Sequence, residues 1–285
     1  MFSILQIELT KTIISQEKLM HVGLMGGTIR RETLGETLDA IVEHDVHHLQ
    51  YHVPAGLTLS EVRKAIDDRQ ITISALGGTY NMIDPDVEKR HAGLQMLRSV
   101  AEQCVPMGTS VITICTGSRD PNSMWRAHPD NNTPEAWRDL VESMKQALEV
   151  AEEYEVTLAL EPEVANVVDS APKARRLLDE MQSPYLKVCM DGANIFHKGE
   201  LPKMREILDE AFALLKDDIA LAHAKDLDRD GEAGHLAAGT GLLDYDQYLG
   251  LLKESGYDGA VVLHGLSEEQ VPFCTSFLRE KIAAL

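Results

Sequence analysis

From about residue 20 onward, short apolar runs alternate with longer stretches in which apolar residues recur at helical spacing. The runs are Met20–Met25, His47–Val53, Ile71–Leu76, Ser110–Cys115, Thr157–Leu160, Leu186–Met190, Ile219–His223 and Ala260–His264. They are apolar or β-branched, as expected of parallel strands covered on both faces. The intervening stretches carry helix-start signals. Thr33 with Glu36, Thr58 with Glu61 and Ser267 with Gln270 have the capping-box spacing. Asp84-Pro85 and Thr133-Pro134 put a capping residue before a first-turn proline, and Asp244 with Gln247 opens the seventh helix. Eight strand–helix units in series predict an α/β fold, a closed (β/α)8 barrel ringed by helices. An open doubly wound sheet is the alternative. Its glycine-rich fingerprint is missing, because Gly239-Thr-Gly241 does not follow a strand directly.

No Pro/Gly/Ser-rich linker divides the chain, so residues 20–285 are expected to form one domain behind a short extension, residues 1–19. Gln6, Glu8 and Lys11 interrupt the apolar residues of that extension. It also lacks a basic start and a small-residue cleavage site, so it does not read as a secretion signal. No apolar run reaches the roughly 18 residues of a membrane span.

Four of the strands end in groups that carry chemistry. They are Leu158-Ala-Leu-Glu161-Pro-Glu163, Val188-Cys-Met-Asp191-Gly-Ala-Asn194, Leu221-Ala-His223-Ala-Lys225-Asp226 and Val261-Val-Leu-His264. In a parallel barrel, functional groups sit at the C-terminal strand ends, where these residues fall. Isolated carboxylates are costly to bury, so several converging there call for a compensating charge. A divalent metal ion is the simplest source. The longest loop, Thr116 to Asn132 after the fourth strand, carries Trp125, Arg126 and His128 and reads as a lid or substrate wall on the same face.

Composition narrows the partners. Hydrophobic residues make up 44% and charged residues 26%, as in an ordinary soluble globular protein. The formal net charge of −19, with no Lys/Arg cluster to neutralise a phosphate backbone, makes nucleic acid and anionic membranes poor candidates for partners. Cys104, Cys115, Cys189 and Cys274 have no paired spacing. This argues against disulfides or a zinc knuckle and for a reducing, cytoplasmic setting.

The strand-end segments, with Gly239-Thr-Gly241-Leu-Leu-Asp244-Tyr245 and Gly256-Tyr-Asp-Gly259, make the chain similar to the xylose isomerase-like TIM barrel superfamily, in its sugar phosphate isomerase/epimerase branch. The resemblance covers nearly everything after residue 20. It implies one divalent cation held by a Glu, an Asp, a His and a second Glu, of which the first three become Glu161, Asp191 and His223. At the fourth position this chain has His264, and Asn194 stands where many members have a substrate-contacting histidine. The mixed carboxylate–imidazole set favours Mn²⁺ or Zn²⁺, with Mg²⁺ compatible. The implied activity is isomerisation or epimerisation of a small-molecule sugar, sugar phosphate or keto sugar, by proton transfer through an enediolate. Glu161, His264 and Lys225 would be its catalytic groups, with Lys225 directed at a substrate oxyanion or phosphate. The alternatives are a dehydratase of a keto-inositol-like substrate and a non-catalytic barrel that binds a sugar or a protein partner. The abasic-site endonuclease branch fits worse, because its multi-zinc site needs more His and Glu ligands than these strand ends offer.

Each group also has a structural reading. Glu161 could be a strand-end salt bridge, Glu163 a solvated loop carboxylate, Asp191 an Asx turn, His223 a satisfied core residue, and Lys225 with Asp226 a surface pair. His264 could ligate metal or act as an acid/base near neutral pH. Asn194, Glu163, His235 and Asn81 are substrate-contact candidates, with Gln50 and His52 weaker ones. His44, His47 and His48 lie at the start of the second strand, opposite the site, and read as structural or surface groups. The sequence leaves room for a homo-oligomer.

Overall fold

The computed structural model describes residues 20–285, so the extension expected at 1–19 lies outside the described residues. The strands are β1 (His21–Met25), β2 (His48–Tyr51), β3 (Thr72–Gly77), β4 (Val111–Ile114), β5 (Thr157–Leu160), β6 (Leu186–Asp191), β7 (Ile219–Asp226) and β8 (Ala260–Leu263). The helices are α1 (Leu34–Val42), α2 (Leu59–Asp67), α3 (Val87–Met107), α4 (Pro134–Glu153), α5 (Ala171–Met181), α6 (Met204–Leu215), α7 (Tyr245–Glu254) and α8 (Val271–Ala283). Among the described residues, the eight strands pair in parallel in chain order. The β1–β8 and β6–β7 pairings are part of a closed ring, so the barrel is closed rather than open. A two-residue antiparallel strand, Leu236–Ala237, adds to the end of β7 at Lys225 and Asp226.

The helix starts follow local chemistry. Both Thr33 and Thr58 form reciprocal capping boxes with Glu36 and Glu61, and Ser267 does so with Gln270 at a short 3₁₀ turn leading into α8. Thr133 caps α4 with Pro134 in its first turn, and Asp244 caps α7. One start differs from expectation. Helix α3 is capped by Asp86 and begins at Val87, so Asp84-Pro85 belongs to the preceding turn. Asp84 accepts the Asp86 N–H instead of capping the helix.

Side chains alternate across each strand, and this sorts the core into two shells. Leu158, Leu160, Val188, Met190, Val261 and Leu263 face outward into the large sheet–helix core. Ala75, Ala159, Cys189, Leu221, Ala260 and Val262 form a separate small cluster inside the barrel. Small residues suit the narrow interior. On β5, β6, β7 and β8 the next inward position, two residues toward the C-terminal end, is where the polar groups appear.

Candidate active site

Period-two alternation makes the site. Ala159 faces inward, and so does Glu161; Cys189 leads to Asp191, Leu221 to His223 and then Lys225, and Val262 to His264. Parallel register sets Asp191 beside His223, and His223 beside Val262. Glu161, Asp191, His223 and Lys225 are all buried, with Asp191 and His223 each 1% exposed. Lys225 and Asp226 are thus not a surface pair, and the four groups converge in one buried polar centre.

Its geometry is close. His223 Nδ1 lies 3.4 Å from Glu161 Oε1 and 3.9 Å from Asp191 Oδ2. The Lys225 Nζ lies 3.1 Å from that Asp191 oxygen and 3.5 Å from that Glu161 oxygen. Asn194 Nδ2 donates to Glu161 Oε1 at 2.5 Å, and its own Oδ1 accepts the Gly234 N–H. On the far side of the imidazole, Gln50 Oε1 meets His223 Nε2 at 2.7 Å. The His264 ring stands edge-on to the His223 ring, with centroids 5.3 Å apart. His223 Nδ1, Asp191 Oδ2 and His264 Nδ1 are buried without a hydrogen bond among the described residues. For Asp191 Oδ2 the 3.1 Å approach of Lys225 is thus an ion contact, not a well-aligned hydrogen bond.

Burial alone would raise the Glu161 carboxyl, but the nearby Lys225 ammonium is the largest opposing influence, and the group is held well below the usual carboxylate range. Asp191 is raised, because burial and the Glu161 charge together exceed the pull of Lys225. Against burial, the two carboxylates hold the Lys225 ammonium above its ordinary value. His264 is pushed down to about 3 by burial, with Lys225 and His223 adding to it. It is therefore a neutral imidazole, suited to ligation and not to proton donation near neutral pH. Burial pushes Glu163 up to about 7. Its oxygens accept from the Ala165 N–H and from Asn166 Nδ2, which makes it a buried, anchored carboxyl rather than a solvated one.

The remaining candidates separate. Asn81 bonds to Ser118 and Ile83, stitching the loops after β3 and β4, where Gly117 is required both by its φ of +81° and because any Cβ would meet the Asn81 amide. His235 pairs with Asp228 in the loop after β7. Neither contacts the carboxylates. His52 lines a cavity of about 920 Å³ on the rim formed by the loops after β1 and β2, beside Arg30, Thr33 and Tyr51, which flanks the carboxylate centre without including it. At the opposite end of the barrel, His48 stacks on His21 with ring centroids 4.4 Å apart, in keeping with a structural role.

Several supporting roles escaped the sequence. Asp226 is turned away from Lys225 and accepts the N–H groups of Leu227, Gly239 and Leu243, folding the Gly239-Thr-Gly241 loop around itself. Tyr245 donates to the Lys225 carbonyl, and Tyr248 shares its proton between the Met190 and His223 carbonyls. Both lie on α7 and fix the ends of β6 and β7. Cys189, one layer below Asp191, comes within 4.8 Å of ligating atoms of Glu161 and His223. Burial and then the Glu161 and Asp191 charges hold its thiol well above the usual range, which works against a thiolate there.

The comparisons with known proteins agree with this architecture. The family model for the xylose isomerase-like TIM barrel matches residues 38–273. The L-ribulose-5-phosphate 3-epimerase UlaE of Shigella flexneri serotype 5b (strain 8401) is 24% identical over 189 residues, which are 66% of this chain and 61% of that protein. This chain thus matches about three-fifths of the length of that relative. Among solved structures, the apo 3-keto-D-glucoside 4-epimerase YcjR of E. coli superposes with a TM-score of 0.74 at 19% identity, covering 92% of this chain and 99% of that one. An IOLI protein with a bound zinc atom superposes with a TM-score of 0.72 at 15% identity, covering 93% and 98%. Fold, strand-end chemistry and the extent of the family match lead to one assignment: the chain belongs to the xylose isomerase-like TIM barrel family.

Proposed function

We propose that this protein is a divalent-metal-dependent isomerase or epimerase of a small sugar or keto sugar. One observation carries the reading. A buried imidazole nitrogen with no hydrogen bond faces two carboxylate oxygens at 3.4 and 3.9 Å. Each of these separations is near that of two donors about 2.0–2.2 Å from one ion, which supports the reading. The group whose ligating atoms all lie within 4.8 Å of one another is Glu161, Cys189 and His223, so an ion would draw Asp191 inward. Glu161, Asp191 and His223 would hold the ion, with His264 presenting its free Nδ1 as the fourth donor in place of a carboxylate. Lys225 contacts both carboxylates but brings only one positive charge to the pair. The oxygen and nitrogen donors favour Mn²⁺ or Zn²⁺ and permit Mg²⁺. The sugar epimerases among the relatives and the zinc-containing neighbour support the same reading.

When bound, the ion would polarise a carbonyl and so acidify the neighbouring C–H. The chain's own groups then divide the work. Ionised Glu161 is the carboxylate placed to accept the carbon-bound proton. Lys225, buried and charged, supplies a donor to the oxygen on which negative charge develops in the enediolate. Glu163, titrating near neutrality, and Lys225 are the groups able to return a proton. Asn194 orients Glu161 through its 2.5 Å bond. Loss of a β-hydroxyl from the same enediolate would make the protein a dehydratase, which product analysis separates from isomerisation.

The test is metal content after dialysis against Mn²⁺, Zn²⁺ or Mg²⁺, followed by a screen of keto sugars in deuterated water. One ion per chain, lost in Asp191→Ala, and deuterium incorporated next to a carbonyl are the expected results. An Asp191→Ala protein with unchanged metal content would overturn the ligand set. A metal-free wild type without exchange would favour the non-catalytic sugar- or partner-binding barrel.

A further inference from the structure

We infer that Gln50 is the positioning residue that decides which nitrogen of His223 carries the proton, and so whether the nitrogen facing the site is bare. The two residues lie 173 positions apart, on β2 and β7, and both are buried inside the barrel. The direction of the connecting hydrogen bonds can be followed from a fixed end. Thr113 Oγ1 donates to the Leu76 carbonyl at 3.4 Å, which uses its one proton. Toward Gln50 it can then only accept, and Gln50 Nε2 donates to it at 2.8 Å. That bond assigns the orientation of the Gln50 amide and turns Oε1 toward His223 Nε2. An amide oxygen only accepts, so Nε2 carries the proton. In a neutral imidazole, Nδ1 is then bare. This bare lone pair is the one that faces Glu161 and Asp191.

The reverse amide orientation would give the opposite site. With its NH₂ group toward His223, Gln50 would force the proton onto Nδ1, which would donate to Glu161 and leave no lone pair for a cation. The relay from β3 through β4 and β2 to β7 thus selects the cation-accepting state. Partners of this kind, one bond beyond a metal ligand, are worth about 10–100-fold in metal affinity.

The affinity arm of the test rests on the metal reading above, and the tautomer arm does not. In chelator-treated protein, long-range ¹H–¹⁵N correlations of the His223 ring, identified by their loss in His223→Asn, should show Nε2 protonated and Nδ1 bare. Gln50→Leu should disturb that signature and weaken Zn²⁺ binding, read by chelator competition, 10–100-fold. Gln50→Glu should restore both, since a carboxylate also accepts from Nε2–H. Thr113→Val, a smaller change that keeps the volume, should mix the tautomers even if Gln50→Leu fails to fold. A wild-type ring protonated at Nδ1, or a Thr113→Val protein with the wild-type signature and affinity, would overturn the inference. If wild type shows the expected tautomer but binds no Zn²⁺, the metal reading fails while the role of Gln50 stands.

Discussion

Replacing Lys225 by Met tests what holds two buried carboxylates in place. The ammonium is 3.1 Å from Asp191 and 3.5 Å from Glu161, and the lysine is only 6% exposed. At an effective dielectric of about 20, each contact contributes roughly 5 kcal/mol before the ammonium's own desolvation is subtracted. Removing one partner of a buried ion pair costs about 3–5 kcal/mol net, because it strands the remaining charge. Unfolding entropy of about 2.1 cal/mol/K per residue gives roughly 0.6 kcal/mol/K for this chain of 285 residues, so Tm should fall by about 5–8 °C. Differential scanning calorimetry at one scan rate, first in chelator and then with Zn²⁺ or Mn²⁺, measures this. The deficit should be largest in chelator and shrink on adding metal, since the ion restores a cation to the same oxygens. A variant melting within about 1 °C of wild type in chelator would show that Lys225 does not compensate these carboxylates, and the electrostatic argument would be wrong.

Three further outcomes are expected. His264→Ala should lower metal affinity and His264→Glu should recover part of it, while neither removes a limb near neutrality from the pH–rate profile, because the imidazole is held neutral down to about pH 3; an activity limb lost near pH 7 in His264→Ala would reverse that assignment. Glu163 is raised from 4.5 to about 7, so its unfolded form ionises first. Its contribution is therefore fully present below about pH 4.5 and lost as pH rises through 7. In chelator, wild type should lose up to about 3 kcal/mol relative to Glu163→Gln between pH 5 and 8 by urea unfolding, and parallel curves would refute the shift. Tyr248→Phe should destabilise by about 1–3 kcal/mol in the same assay, by leaving the Met190 and His223 carbonyls short of their donor.

Much of the site was legible because strand-end position is a one-dimensional property. Glu161, Asp191, His223, Lys225 and His264 each follow an apolar run, and a barrel puts such residues on one rim. Burial was harder to read. Lys225-Asp226 looks like a surface pair, but the two side chains point to different tasks, one into the barrel and one into the loop that carries Gly239. Gln50, in His-Leu-Gln-Tyr, reads only as a weak substrate-contact candidate, and its hydrogen bond to His223, 173 positions away, has no local sign. Asn81 and His235 follow strands just as the converging residues do, yet local partners hold both.

The sequence by itself determined the alternation of strands and helices, most helix caps, the single domain after residue 20 and the set of polar strand ends. Those follow from periodicity and short-range hydrogen bonding, which act between neighbours in the chain. Only the tertiary structure decided which polar groups meet. Closing the barrel brings β2, β5, β6, β7 and β8 to one rim, and electrostatics at 3–4 Å then sets Glu161 ionised, His264 neutral and Lys225 charged. Charge states depend on distance and burial, and neither quantity exists until residues far apart in the chain are folded together.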